Sequence, residues 1–396
     1  MEKQNITATE TVKSEKEWIN EVWEKIDKKL SRIALKSRNK IPYTTVYGEH
    51  DDRSEIEPDW WTNGFFGGMM WLMFSETKNE VYKETAKMQE KLMDRAFVDF
   101  RKLHHDVGFM WHILSGASYR LTGDKASETR NFFVATSLAS RYNIDGKYIR
   151  AWNSWSGLTW ETDAFRGATI IDCMMNIPLL YWASRELDDP RFARIAKSHA
   201  DMAMRDHVRP DGSVNHIVSH DPETGEAIKI LDGQGYSPES CWSRGAAWAI
   251  YGFALSYIHT GKKEYLDTAI KCANYFIVNC KNTGYKTVID FKAPKTPVYY
   301  DSTAGVCAAC GILEIAKYVT EAESENYIKE AINILKATDE SFCSYSEDED
   351  ALVLMGSERY PLNEEQIKTV HIPIIYGDFF FVEAMLKLKG NDFLIW

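Results

Sequence analysis

Residues 243–277 read SRGAAWAIYGFALSYIHTGKKEYLDTAIKCANYFI and contain the pattern that decides the fold. The part before the HTGKKEY turn is rich in small and apolar residues on every side of a helix. The part after the turn has one charged face and one apolar face. A helix that is apolar nearly all round must be enclosed, whereas a helix with one polar face can cover another. The stretch therefore predicts a helical hairpin with one enclosed and one covering member.

The same alternation recurs along the chain and predicts twelve helices. They lie near 15–37, 62–76, 79–95, 106–122, 124–141, 164–187, 190–206, 241–260, 263–281, 302–319, 323–341 and 376–389. Six enclosed and six covering helices in alternation are typical of an (α/α)6 barrel, an all-α fold. We expect residues 1–14 to be a polar tail and residues 15–396 to form a single barrel domain. Weak strand patterns at 225–231 and 285–300 indicate small β-hairpins.

The predicted barrel has one end at which function is expected. Every enclosed helix points the same way along the axis, because a covering helix returns the chain each time. One rim therefore collects the inner-helix N-termini and the long loops that precede them. Those loops lie near 38–61, 142–163, 207–240, 282–301 and 342–375. Loops on a rigid scaffold are where binding and catalytic residues concentrate.

Composition excludes several classes of protein. The 396 residues are 44% hydrophobic and 27% charged, which excludes disordered, collagen-like and disulfide-scaffold chains. The formal net charge of -11, with no basic run, argues against nucleic acid as a partner. No stretch is apolar enough for a membrane span or a signal sequence. The seven cysteines, Cys307 and Cys310 of the CxxC among them, are interpreted as reduced core thiols, and we expect a cytoplasmic protein.

Two aspartates are the candidate catalytic residues. Asp172 is surrounded by Ile170, Ile171, Met174 and Met175 in a helix expected to be enclosed. Burial disfavours a carboxylate and favours the protonated form that a general acid needs, although a hydrogen-bonded structural aspartate is the alternative. Asp106 follows two histidines in HHD and opens an inner helix, where it could equally be an N-cap. The HHD stretch lacks the i, i+4 spacing of a zinc motif, so we predict no metal.

Other candidate residues lie near the same rim. Tryptophans are frequent there, at positions 60, 61, 152, 155, 160, 242 and 248, and their flat apolar faces suit a sugar ring, although each alone is more typical of a core. Arg244 begins an enclosed helix, where it either clamps a substrate carboxylate in a bidentate manner or forms a surface ion pair. His216 and Gln234 lie in the longest loop and are either site residues or solvated.

Five motifs in order resemble the unsaturated glucuronyl hydrolases of glycoside hydrolase family 88. They are WTNGFFGG (61–68), HHDVGF (104–109), IIDCMMNIPLLYWA (170–183), SRGAAWAIYGFAL (243–255) and IYGDFFFVEAMLKL (375–388), and the resemblance extends from about residue 15 to 396. It implies an (α/α)6 barrel, with Asp172 as principal acid/base and Asp106 as second essential carboxylate. It also implies that Trp61, Asn63, Trp152, His216, Gln234, Arg244 and Trp248 bind substrate. Asn63, where some relatives have Asp, and Gly233, where some have His, depart from the pattern.

The resemblance implies hydration of the 4,5-unsaturated uronic acid at the non-reducing end of oligosaccharides that polysaccharide lyases produce. Glycosaminoglycan disaccharides, such as unsaturated chondroitin or hyaluronan, are the expected substrates, with no cofactor and a monomer or homodimer. Three alternatives stay open. They are an unsaturated rhamnogalacturonyl hydrolase acting on pectin fragments, an inverting glucanase acting on saturated chains, and a non-catalytic carbohydrate-binding barrel.

Overall fold

Two concentric rings of helices build the molecule. The computed structural model describes residues 3–153 and 165–396 and has a helix at each of the twelve predicted places. The inner ring consists of α3 (Phe65–Thr77), a π-helix (Gly108–Gly116) that continues as α5 (Ala117–Thr122), α7 (Pro178–Glu186), α9 (Ser243–Thr260), α11 (Ser302–Ala316) and α13 (Ile375–Lys389). The outer ring follows the short α1 (Glu10–Ser14) and consists of α2 (Lys16–Lys36), α4 (Glu80–Met93), α6 (Lys125–Ala139), α8 (Pro190–Asp206), α10 (Lys263–Lys281) and α12 (Glu321–Phe342). Each inner helix contacts the next, and α13 closes the ring against α3, which confirms the (α/α)6 barrel.

Small residues let the inner helices approach closely. Every residue of α11 is buried, as expected for a helix that is apolar all round. A Cβ on Gly311 would lie 2.8 Å from Cα of Tyr251 in α9. A Cβ on Gly252 would lie 2.5 Å from Cβ of Met174. Glycine at both positions is therefore required by the distance between neighbouring backbones.

Short antiparallel strands lie in the inter-helix loops of the described chain. They are β1 (Thr45–Val46) with β2 (Glu49–His50), β3 (Tyr142–Asn143) with β4 (Tyr148–Ile149), the sheet of β5 (Ala168–Ile170), β6 (Ile217–His220) and β7 (Ala227–Leu231), and β8 (Gly356–Ser357) with β9 (Val370–Ile372). The range 225–231 contains the strand β7, whose hairpin partner β6 lies outside the predicted range, so the strand is confirmed and the bounds of the hairpin are wrong. The pattern at 285–300 gives an isolated antiparallel bridge between Val288 and Tyr300 instead of a hairpin.

Two inner helices depart from the regular α-helix that the sequence predicts. The one expected at 106–122 begins as the π-helix. The one expected at 164–187 is β5, then a 3-10 helix (Ile171–Met175), and becomes α-helical only at Pro178; residue 164 itself lies outside the described residues. Proline has a preset φ and no backbone N–H, so it suits the first position of α7. Both irregular segments lie at the end of the barrel that the long loops occupy.

The first residues do not form the polar tail that we expected. Asn5 and Thr9 cap a 3-10 turn and α1, and α1 contacts α12. Ile6 and Val12 are buried, with 3% and 5% of their surface exposed. Two apolar residues and two caps are sufficient to dock this segment against the outer ring. The prediction of a tail is therefore wrong for residues 3–14.

The described residues also bear on the expectations about membrane spans and cysteines. No helix among them combines the length and apolarity needed to cross a lipid bilayer. All seven cysteines are free, and only Cys343 is partly exposed. Burial raises the pKa of the Cys307 and Cys310 thiols well above the usual range, which keeps them protonated. The interpretation of this pair as core residues agrees with these findings.

Candidate active site

Asp106 and Asp172 converge at the rim. Asp106 lies two residues before the π-helix, and Asp172 belongs to the 3-10 helix before α7. Each residue is 8% exposed. Asn176 connects them, because its Nδ2 donates both to Oδ1 of Asp106, at 3.0 Å, and to the main-chain carbonyl of Asp172, at 3.2 Å. Within the described chain the Asp106 carboxylate accepts no first-turn amide, so the N-cap alternative has no support.

The surroundings of Asp106 favour its protonated form. Burial and the negative charge of Asp172 raise the pKa of Asp106 well above its usual range, while the hydrogen bond from Asn176 opposes the shift. Burial also lowers the pKa of His104 to about 3 and that of His105 well below its usual range, so both imidazoles are neutral near pH 7. A second negative charge is therefore disfavoured at this position.

The HHD stretch brings three potential metal ligands together. One donor atom from each of His104, His105 and Asp106 lies within 4.8 Å of the others. Nδ1 of His105 lies 3.3 Å from Oδ1 of Asp106, and neither ring nitrogen of His105 has a hydrogen-bond partner among the described residues. Neutral imidazoles and a carboxylate are ligand types that zinc accepts. The absence of a metal therefore stays a prediction.

His216 presents a donor to Asp172. Its Nε2 lies 3.4 Å from Oδ1 of Asp172. Its Nδ1 faces the backbone N–H of Gln234, at 3.0 Å, and can only accept there, so in the neutral ring the proton is on Nε2. The ring of Trp242 packs against the imidazole, with centroids 4.2 Å apart. The backbone N–H of Ile171 donates to the His216 carbonyl, at 3.1 Å, which ties this loop to the segment that carries Asp172.

Arg244 is occupied by protein groups. It is 1% exposed and pairs with Asp301, which is fully buried. It also donates to the main-chain carbonyls of Ser357, at 2.6 Å, and Glu358, at 2.7 Å. Its guanidinium lies 4.5 Å from the ring centroid of Trp242. The surface ion pair is therefore wrong, because Arg244 forms a buried pair and most of its donors have protein partners. A contact of Arg244 with a substrate carboxylate stays a prediction.

Gln234 supports the same loop. Its Nε2 donates to the Glu358 carbonyl, at 2.7 Å, and its own carbonyl accepts from the backbone N–H of Tyr360, at 2.8 Å. Gln234 and Arg244 therefore hold one segment of the rim from two sides. The side-chain amide nitrogen of Gln234 thus already has a protein partner, and the expected contact of Gln234 with substrate stays a prediction.

The predicted tryptophans lie at different depths. Trp61 and Trp152 are half-buried, and Trp152 packs edge-on against His105, with centroids 6.2 Å apart. Trp248 is fully buried and packs against Phe109, with ring centroids 5.2 Å apart, and its contact with substrate stays a prediction. Trp155 and Trp160 lie outside the described residues.

Asn63 also has a structural environment. It is fully buried, and its Nδ2 donates to the main-chain carbonyls of Glu57, at 2.9 Å, and Pro58, at 3.1 Å. The side chain thus fixes the loop before α3. Direct binding of substrate by Asn63 stays a prediction.

Two residues of the site were not among the predicted ones: Asn176 bridges the aspartates, and His105 borders Asp106. Trp242, one of the rim tryptophans, packs against both His216 and Arg244. Asn176 carried a usable signal, because it is a polar residue four positions after Asp172 in the same apolar stretch. Two enclosed carboxyl groups beside half-buried tryptophans, at the rim of an (α/α)6 barrel, define a carbohydrate-active hydrolase.

Comparison with known proteins identifies the family. Residues 39–282 match the model of Glycosyl Hydrolase Family 88, and the chain belongs to that family. It is 33% identical to the unsaturated glucuronyl hydrolase of Bacillus sp. (strain GL1), over 85% of this chain and 88% of that protein. It is 30% identical to the unsaturated chondroitin disaccharide hydrolase of Streptococcus pneumoniae, over 85% of this chain and 83% of that protein.

The solved structures agree with the sequence comparison. The crystal structure of the Bacillus sp. GL1 unsaturated glucuronyl hydrolase superposes with a TM-score of 0.83 at 29% identity, over 93% of this chain and 97% of that one. An unsaturated glucuronyl hydrolase described as specific for heparin superposes with a TM-score of 0.80 at 26% identity, over 94% and 97% of the two chains. The barrel and the family resemblance read from the motifs are thereby confirmed.

Proposed function

We propose that this protein hydrates the 4,5-unsaturated uronic acid at the non-reducing end of lyase-generated oligosaccharides and thereby releases the uronate and the remaining sugar. The observation that supports it best is the enclosed carboxyl pair, in which Asp106 and Asp172 are each 8% exposed and are linked through Asn176. Protonation of a vinyl ether carbon requires a positioned carboxylic acid, and a neighbouring carboxylate can stabilise the cation that forms. The names of the family's relatives point to the same bond.

In the proposed reaction Asp172 acts as the acid and then as the base. The carboxyl proton goes to carbon 4 of the substrate, the carbon–carbon double bond breaks, and positive charge develops between carbon 5 and the ring oxygen. Water adds to carbon 5, and its proton returns to Asp172. The resulting hemiketal opens, and rearrangement expels the leaving sugar. Because the glycosidic carbon is never attacked, the separation of the carboxyl groups does not report retention or inversion.

The other residues have roles that follow from their positions. In this mechanism Asp106 must be ionised when Asp172 donates its proton, so that its negative charge stabilises the developing cation. His216 offers Nε2–H beside Asp172, where it can orient the water or a hydroxyl. Trp61 and Trp152 retain exposed faces for the planar ring. Gln234 and Arg244 act indirectly by holding the loop at Glu358.

The substrate class we propose is a glycosaminoglycan disaccharide, because relatives at 30% identity are named for unsaturated chondroitin disaccharide. The test follows the absorbance of the conjugated uronate at about 235 nm in wild type and in Asp172→Asn. Loss of absorbance on unsaturated chondroitin disaccharide with the wild type alone is expected. If only the unsaturated pectin disaccharide were turned over, pectin fragments would replace glycosaminoglycan disaccharides as the substrate class. No loss with either substrate would contradict the proposed reaction.

Three further proposals concern the domain organisation, the cellular location and the partners of the protein. Residues 15–396 act as one catalytic domain, supported by a core cluster that continues from the outer helices to Trp396. The protein works in the cytoplasm, supported by its free cysteines. It acts as a monomer or homodimer, with no cofactor and without nucleic acid or membrane partners, in keeping with its net charge of -11. Sedimentation at micromolar concentration measures the oligomeric state.

A further inference from the structure

Asn176 is fully buried, and each of its side-chain atoms that can form a hydrogen bond does so. Its Oδ1 accepts from the backbone N–H of Phe109, at 2.8 Å. Its Nδ2 donates to Asp106 and to the Asp172 carbonyl. The Asn176 side-chain amide therefore connects the start of the π-helix, the Asp106 carboxylate and the segment that carries Asp172.

The backbones meet at the same point. A Cβ on Gly108 would lie 2.7 Å from Cα of Asn176, so only glycine allows this approach. The contact is directional, because Nδ2–H donates to an oxygen of Asp106 and so interacts best with the ionised form. An aspartate at position 176 would have the same shape but could not donate when ionised.

We infer that Asn176 is a positioning residue of the carboxyl pair: it fixes Asp106 against the segment that carries Asp172 and favours the negative charge on Asp106. This inference rests on the proposed function, in which Asp106 must hold that charge when Asp172 donates its proton. Burial and the charge of Asp172 work in the opposite direction, because they raise the pKa of Asp106, whereas the charge of Arg141 acts in the same direction as the amide. The rings of His104 and His105 also face the carboxylate, at 3.4 and 3.3 Å, and burial keeps both of them neutral near pH 7. The amide thus sets the lower end of the pH range in which the pair is competent.

The first experiment measures kcat/KM against pH for wild type and Asn176→Asp. Loss of a charge-assisted donor is expected to move the acidic limb upward by about one to two pH units. Asn131→Asp is the matched control, because Asn131 is also fully buried but contacts His112, away from the aspartates. The control is expected to keep the wild-type limb. A folded Asn176→Asp whose activity falls without any movement of the limb would overturn the inference.

A second measurement needs no folded variant at position 176 and no turnover. In protein labelled with ¹⁵N-asparagine, the Asn176 side-chain amide should shift with the ionisation of Asp106, and that titration should disappear in Asp106→Asn. If no asparagine amide loses its titration in Asp106→Asn, the inference is wrong. If the titration is present but the uronate absorbance never falls, the proposed reaction is wrong and the coupling stands.

Discussion

Replacing Arg244 by alanine distinguishes a buried structural pair from a substrate clamp. Arg244 is 1% exposed and Asp301 is fully buried, so the substitution leaves an uncompensated carboxylate in the interior. Breaking a buried pair from one side destabilises a protein by about 3–5 kcal/mol. The carbonyls of Ser357 and Glu358 also lose their donor, which loosens the rim beside Gln234.

The expected result is therefore a loss of stability together with a loss of activity. Urea unfolding followed by tryptophan fluorescence should show Arg244→Ala less stable by about 3–5 kcal/mol, and kcat/KM should fall because the loop at Glu358 is no longer held. The double variant Arg244→Ala with Asp301→Ala removes the orphaned charge. It should recover part of the lost stability, a coupling that independent sites would not have.

Arg191→Ala is the control, because Arg191 is exposed and pairs with Asp189 at the surface. It should change stability by no more than about 1 kcal/mol. If Arg244→Ala unfolded at the wild-type urea concentration and only KM rose, the buried-pair reasoning would be refuted and a clamp on the substrate carboxylate would replace it.

Trp152→Ala should raise KM about tenfold with wild-type stability, because a half-buried stacking face is lost; steady-state kinetics at 235 nm measures it. Trp248→Ala should instead lower the free energy of unfolding by about 3–5 kcal/mol, because a fully buried ring leaves a cavity, and urea unfolding measures it. Burial raises the pKa of Asp378 to about 7, so the folded chain holds this proton more tightly than the unfolded chain. The protonated Asp378 carboxyl therefore contributes its full stabilisation below about pH 4, and this contribution is lost as the pH rises through about 7. In Asp378→Asn the urea midpoint of unfolding should change less with pH over this range than in the wild type.

The fold was accessible from the sequence because it depends on composition that repeats. An inner helix such as α11 contains little besides small and apolar residues, and an outer helix such as α10 has a charged face. Where prediction failed, tertiary contacts outweighed the local pattern. The stretch 164–187 is apolar enough for a helix, yet residues 168–170 pair with β6, which local periodicity does not encode.

The aspartates of the site were predictable from the sequence, whereas the burial of its tryptophans and the partners of Arg244 were not. A carboxylate in an apolar stretch is expensive to bury, so Asp172 was conspicuous in the sequence. A tryptophan is at home both in a core and at a sugar site, so the sequence could not separate Trp248 from Trp152. The hydrogen-bond partners of Arg244 lie 57 or more positions away in the chain, and no local pattern predicts them.

The loop at Gly233 offers a test of whether His216 matters through its position. A Cβ at residue 233 would lie 2.1 Å from Nδ1 of His216, the atom that accepts from Gln234. In Gly233→Ala either the imidazole or the loop must move, and in both cases the hydrogen bond that keeps Nε2–H directed at Asp172 is lost. Because the substitution forces this movement and breaks one hydrogen bond, stability should fall by about 1–3 kcal/mol, and turnover is compared under conditions in which the variant is fully folded. Turnover should fall about tenfold or more, since a small displacement of a group beside the acid is enough. Wild-type turnover in Gly233→Ala would show that the orientation of His216 does not contribute to the reaction, and the role proposed for its Nε2–H would be withdrawn.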